Sequence, residues 1–323
     1  MKRTVYPIHS DFQKWTKMKP PLKAELLPPT QKLMGMLFTR EKSTPKLTVS
    51  HQEIPAADGT GIRALLYSPV SLKEPAPCLV YYHGGGFVFP AAPYHYELAR
   101  AYALGAFCRV LFVDYRLAPK YPFPVPMEDC YAAWCWAHEH GNGLGIDPAR
   151  IAVGGDSAGG DLAAAVSLAA RDRGQAVPCA QMLVYPVTDM RMITESVKTY
   201  TDTPMCNSRD MEKYREFYLP DPTAGKKDYA SPIEAESLAS LPPAYIETAE
   251  FDCLHDEGIL YGERLQEFGV SVELHQTKGT MHGFDVVMES SIVKESIEKR
   301  VAFLKRSFQL SAPHRNQAFF TQS

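Results

Sequence analysis

The chain has 323 residues, with 34 Lys and Arg against 37 Asp and Glu for a formal net charge of −3, 45% hydrophobic residues and 22% charged residues. Those proportions are those of a globular protein and exclude global disorder, and the lack of a basic surplus argues against nucleic acid as a partner. No apolar run approaches the roughly 20 residues of a membrane span, and no signal-peptide core follows Met1-Lys2-Arg3, so a cytoplasmic protein is expected.

Residues 1 to about 45 lack strand patterning. Helical stretches at 22–27 and 31–39 are set apart by Pro20-Pro21 and Pro28-Pro29. They are expected to form a small element that buries Leu33, Met34, Met36, Leu37 and Phe38 as an ordinary amphipathic face. Alternating residues 47–54 and 62–68, joined by the turn Asp58-Gly59-Thr60-Gly61, predict an antiparallel hairpin. Short apolar runs then alternate with helical stretches. Strands are predicted at 78–82, 110–113, 151–154, 181–185, 244–248 and 272–275, and helices at 96–104, 127–139, 158–173 and 290–307. Continuous apolar strands separated by helices imply a mostly parallel sheet covered on both faces, with ligands at the carboxyl ends of the strands. The long connection after Tyr185 carries a predicted helix at 210–218, the pattern of a lid or cap. Residues 312–323 read as a frayed tail.

The seven cysteines are odd in number and show no C-x-x-C spacing, so neither a disulfide framework nor a zinc site is expected. His138-Glu139-His140 lacks the i, i+4 spacing of a helical metal site and reads as a solvated helix end before Gly141-Asn142-Gly143. No metal or cofactor is expected.

Three features stand at strand ends. Gly155-Asp156-Ser157-Ala158-Gly159 lies between a buried strand and a small-residue helix, the setting of a G-x-S-x-G nucleophile elbow. The sharp turn there lifts a hydroxyl clear of the sheet and aims the partly positive helix N-terminus at it. His83-Gly84-Gly85-Gly86-Phe87 follows strand 78–82. Its glycines let backbone N–H groups approach a substrate, and Gly84, Gly85 and Ala158 are the expected oxyanion donors, each worth about 3–4 kcal/mol of barrier. A phosphate cradle is disfavoured because no G-K-[ST] follows. His83 is expected to anchor this loop. Asp252 and His282 follow the strands at 244–248 and 272–275, and the order Ser157, Asp252, His282 is that of an α/β-hydrolase triad. Asp256 and Asp189 are the competing acids, with Asp256 expected to support a helix N-terminus. Phe87, Phe89, Tyr185 and residues 33–38 are the candidates for a substrate wall; all but Phe87, beside the glycines, read more readily as simple core.

The strings His83-Gly84-Gly85-Gly86-Phe87, Asp114-Tyr115-Arg116-Leu117-Ala118-Pro119 with Tyr121-Pro122-Phe123-Pro124, Gly155-Asp156-Ser157-Ala158-Gly159-Gly160, Asp252-Cys253-Leu254-His255-Asp256-Glu257-Gly258 and Met281-His282-Gly283-Phe284 occur in order along the chain. Together they make the sequence similar to the hormone-sensitive-lipase-like (bacterial family IV) esterases of the α/β-hydrolase superfamily. Lys120 departs from the acid common at that place. The resemblance implies an eight-stranded, mostly parallel sheet flanked by helices and a single α/β-hydrolase domain over 1–323, with a helical cap from about 1–45 and 190–228. It also implies hydrolysis of short- to medium-chain carboxylic esters through an acyl-enzyme, a small-molecule ester as partner, and a possible homodimer. The same triad serves amidases and deacetylases. A non-catalytic small-molecule receptor on this fold is disfavoured by the presence of His282.

Overall fold

The computed structural model describes residues 5–310; the tail expected at 312–323 lies outside them. Eight strands form one sheet: β1 (Leu47–Pro55), β2 (Gly61–Pro69), β3 (Ala76–Tyr82), β4 (Arg109–Asp114), β5 (Ile146–Asp156), β6 (Gln181–Val184), β7 (Ala244–Phe251) and β8 (Val272–Met281). The helices are α1 (Leu27–Gly35), α2 (Pro93–Ala106), α3 (Val125–His140), α4 (Ala158–Asp172), α5 (Glu195–Thr199), α6 (Ser208–Tyr218), α7 (His255–Glu267) and α8 (Ser291–Leu310). The strand order is β1-β2-β4-β3-β5-β6-β7-β8. β2 runs antiparallel to β1 and β4, and every pairing from β4 through β8 is parallel.

Strand periodicity divides the core in two. Leu79 and Tyr81 of β3 and Val110 and Phe112 of β4 pack on one side with α2 and α8, whereas Val80, Tyr82, Leu111 and Val113 pack on the other with α3, α4 and α7. Successive side chains of a strand point to opposite faces, so a strand buried on both must be apolar throughout, as the uninterrupted burial of β3 shows. α4 is buried almost throughout, and its buried residues are mostly Ala and Gly, with Leu162, Val166 and Leu168 among them.

Prolines shift several boundaries from those expected. Pro93 and Pro126 sit in the first turns of α2 and α3, where a missing N–H costs nothing. Pro28-Pro29 likewise opens α1 rather than separating two helices. The apolar face expected at 33–38 divides. Phe38 is buried and Met34 is half-buried, but Leu33 and Met36 are exposed because they lie on the opposite side of α1. Gln31 fixes that rotation, its side-chain NH₂ donating to the carbonyls of Val88 and Ala118, both at 2.8 Å. All seven cysteines are free thiols. Among the described residues no helix is long and apolar enough to cross a membrane, and no group of His, Cys, Asp and Glu side chains could hold a metal ion.

Candidate active site

Strand register brings the site together. Tyr82 of β3 pairs with Gly155 of β5, so the glycine loop and the elbow leave the sheet side by side. Phe251 of β7 pairs with Met281 of β8, which places the next residues, Asp252 and His282, beside one another.

Ser157 forms the turn between β5 and α4 with φ 54° and ψ −119°. A non-glycine residue is strained there by about 1–3 kcal/mol, and the surrounding backbone holds it. Ser157 N–H donates to the Val184 carbonyl at 2.9 Å, and its carbonyl accepts from Gly160 N–H at 2.9 Å. A Cβ at Gly159 would overlap the carbonyl of Tyr82, which explains the glycine.

His282 Nε2 lies 2.8 Å from Ser157 Oγ, and His282 Nδ1 lies 2.7 Å from Asp252 Oδ2. The other Asp252 oxygen accepts from Leu254 N–H at 3.0 Å. Asp252 is fully buried, and Ser157 and His282 are nearly so. Burial works to lower the His282 pKa, but the Asp252 carboxylate outweighs it, and the imidazole is raised from its ordinary 6.5 to about 9. The competing acids are engaged elsewhere. Asp256 accepts from Ser196 N–H at 2.7 Å and ties α5 to α7, while Asp189 pairs with Arg191 at 2.8 Å.

His83 is buried, stacks on Tyr115 at 4.5 Å between ring centroids, and donates from Nδ1 to the Gly84 carbonyl at 2.7 Å. Burial, then the neighbouring His95, lower its pKa to about 4. It is a neutral anchor of the loop.

Two expectations need correction. Gly84 N–H does not face the substrate space: it donates to Asp156 Oδ1 at 3.1 Å. The glycines that line the cavity beside Ser157 are Gly85 and Gly86. Phe87 is not part of the wall. Its backbone is left-handed, with φ 64°, and its fully buried ring stacks on Tyr218 of α6 at 3.6 Å, inside the core. Tyr185 does line the cavity, edge-on to the His282 ring at 5.0 Å.

Sequence reading missed the partners of Asp156. Besides Gly84, this buried carboxylate accepts from Tyr81 OH at 2.6 Å and from His95 Nε2 at 3.1 Å. His95 Nδ1 accepts from Ala92 N–H at 2.8 Å, which leaves Nε2 as the donor to Asp156. Burial acts to raise the Asp156 pKa, but His95 and Tyr81 outweigh it and hold the carboxyl at about 2. No spacing rule links position 95 to 156. Also missed was the link from Tyr185 OH to Asp285 at 2.8 Å, and from Asp285 to the fully buried Arg300 of α8 at 2.9 Å, with Glu247 on the same guanidinium at 2.7 Å.

Above Ser157 lies a cavity of about 520 Å³ walled mainly by apolar groups: Trp15, Met18 and Met34 from the N-terminal segment, Phe89, Pro90, Pro93 and Tyr94 from the stretch after the glycine loop, and Met205, Met211 and Tyr214 from the connection after β6.

The family model described as alpha/beta hydrolase fold matches residues 79–286. The chain belongs to the α/β-hydrolases, in their hormone-sensitive-lipase-like branch. This α/β-hydrolase is 39% identical over 253 residues to esterase LipI of Mycobacterium tuberculosis, covering 76% of this chain and 77% of that one. It is 36% identical over 280 residues to carboxylesterase NlhH of the same organism, covering 85% and 87%. Among solved structures, a bacterial heroin esterase superposes with a TM-score of 0.83 at 34% identity, covering 94% of this chain and 98% of that one. A thermostable esterase from Pseudomonas putida ECU1011 gives 0.85 at 30% identity with the same coverage.

Proposed function

We propose that this α/β-hydrolase cleaves carboxylic esters of short- to medium-chain acyl groups through an acyl-enzyme on Ser157. The observation that carries the reading is the unbroken hydrogen-bonded line from Asp252 Oδ2 through His282 to Ser157 Oγ, ending in an apolar cavity.

In the reacting state neutral His282 donates from Nδ1 to Asp252 and accepts the Ser157 proton at Nε2. Ser157 Oγ adds to the ester carbonyl. The new alkoxide meets the N–H groups of Gly85, Gly86 and Ala158, with Ala158 at the N-terminus of α4. This assignment drops Gly84, whose N–H is held by Asp156. Imidazolium, stabilised by Asp252, gives its proton to the departing alcohol. Water then loses a proton to His282, attacks the acyl-enzyme and frees the acid. The apolar walls favour an uncharged acyl chain, and the cavity of about 520 Å³ suits one of modest length. The N-terminal segment and the connection after β6 act together as the cap.

The test is labelling with a fluorophosphonate, together with hydrolysis of p-nitrophenyl esters from acetate to palmitate. Wild type is expected to label once and to prefer the shorter chains, and Ser157→Ala to lose labelling and turnover while keeping its circular dichroism spectrum. A labelled or active Ser157→Ala enzyme overturns the assignment. Faster turnover of matched amides than of esters moves the function to amide hydrolysis.

A further inference from the structure

The outer face of the N-terminal segment is built against the usual rule for a surface helix. On α1, Thr30 and Met34 face the cavity, and Gln31 is pinned to the loop beneath. On the opposite side Pro29, Lys32 and Leu33, continued by the C-cap residue Met36, follow i, i+3, i+4 and i+7 spacing and stand in solvent. Leu33 is 70% exposed and Met36 49%, with Leu26 and Met18 each at 45%. With Val5, this short stretch supplies five of the twelve exposed large apolar side chains among the described residues.

The segment is also rich in cations. Residues 5–40 hold six basic side chains, Lys14, Lys17, Lys19, Lys23, Lys32 and Arg40, against two acidic ones, Asp11 and Glu25, in a chain of net charge −3. All six basic side chains are exposed. Met18 and Lys19 also stand on the wall of the cavity that holds Ser157, so the basic and apolar face adjoins its entrance.

We propose that this face docks the molecule on anionic lipid surfaces, with Leu33 and Met36 entering the headgroup region and Lys23 and Lys32 meeting lipid phosphates. Isolated apolar side chains set among lysines on a helix partition to an interface, and each added cation strengthens the attraction to acidic lipid. A second copy of the chain is a poorer occupant, because two faces of the same positive sign repel. An acidic protein would satisfy the charge equally, but apolar side chains scattered among lysines, with no continuous apolar patch, suit a lipid interface better. The inference concerns location and does not rest on the chemistry at Ser157.

The test is co-sedimentation of the full chain with vesicles of phosphatidylcholine alone and with vesicles containing 30% phosphatidylglycerol. Binding is expected only to the anionic vesicles and is expected to weaken with added salt. The double variant Lys23→Glu/Lys32→Glu should partition at least about tenfold less, and Leu33→Gln/Met36→Gln should also lose binding. Both variants should keep wild-type turnover of a soluble p-nitrophenyl ester, which reads folding separately from docking. Lack of sedimentation with anionic vesicles overturns the proposal and leaves an acidic protein as the occupant. Equal binding to both vesicle types, or unchanged binding by the variants, also overturns it. So does a wild-type dimer in light scattering that Leu33→Gln/Met36→Gln dissociates, which would make the face a self-interface.

Discussion

The Gly84 N–H donates to the carboxylate of Asp156 at 3.1 Å, so the residue next to Ser157 holds the neighbouring glycine loop in place. Two elements far apart in the chain are thereby locked together one residue away from Ser157 Oγ. Gly84 sits so close to this carboxylate that a Cβ there would collide with it. The contact orients the loop so that Gly85 and Gly86, rather than Gly84, face the cavity.

Asp156→Asn should therefore damage catalysis by displacement. Asparagine keeps one acceptor oxygen for Tyr81 and Gly84, but its amide nitrogen cannot accept from His95 Nε2 as the second carboxylate oxygen does. The expected result is a fall in kcat of about 10²-fold with little change in KM. A loss as deep as that of Ser157→Ala would show a more direct role for this carboxyl.

The Asp252–His282 pair sets the pH response. In the proposed mechanism His282 is neutral when it takes the serine proton, and its pKa is raised to about 9. Activity should thus climb with pH through a midpoint above the ordinary 6.5 of histidine. Stability has the opposite slope. A raised folded-state pKa contributes stability that is fully present below about 6.5 and is lost as pH rises through about 9. Asp252→Asn should lower the midpoint of the pH–rate profile and cut kcat by about 10⁴-fold. An acid limb that stays fixed in this variant would assign the titration to another group.

Arg300 is expected to matter for folding more than for chemistry. It is fully buried and serves both Glu247 and Asp285. Arg300→Met leaves two buried acids without their cation, and urea unfolding should show a loss of about 3–5 kcal/mol. Lysine cannot span both partners with one planar fork, so Arg300→Lys should recover only part of that loss. Full recovery by lysine would reduce the link to simple charge balance.

Phe87 and Met34 should separate stability from selectivity. Phe87→Ala removes a ring stacked on Tyr218 and should cost about 3–5 kcal/mol, with the order of acyl-chain preference retained. Met34→Trp fills cavity space and should shift preference towards acetate with little loss of stability. The reverse pattern would return Phe87 to the substrate wall.

Much of the sheet could be read from the string, because buried strands of Val, Leu, Tyr and Ala separated by helical stretches leave few architectures open. Ser157, Asp252 and His282 were legible for a related reason, since each lies beyond a recognisable apolar strand, although β7 and β8 run on to Phe251 and Met281, past the ends at 248 and 275 expected for them. Side-chain direction was not legible. Gly84 and Phe87 carry the motif as clearly as Gly85, but a hydrogen bond to Asp156 and a left-handed backbone turn them away from the cavity. The rotation of α1 depends on Gln31 finding the carbonyls of Val88 and Ala118, contacts across long sequence separations that no local pattern encodes.

The ceiling over Ser157 is drawn from residues near positions 15–34 and again near 205–214, with most of the sheet between them. Specificity therefore cannot be transplanted between homologues as one cassette. A chimera that exchanges only one stretch would set Met34 and Tyr214 against mismatched neighbours, and only grafts carrying both would be expected to transfer a chain-length profile intact.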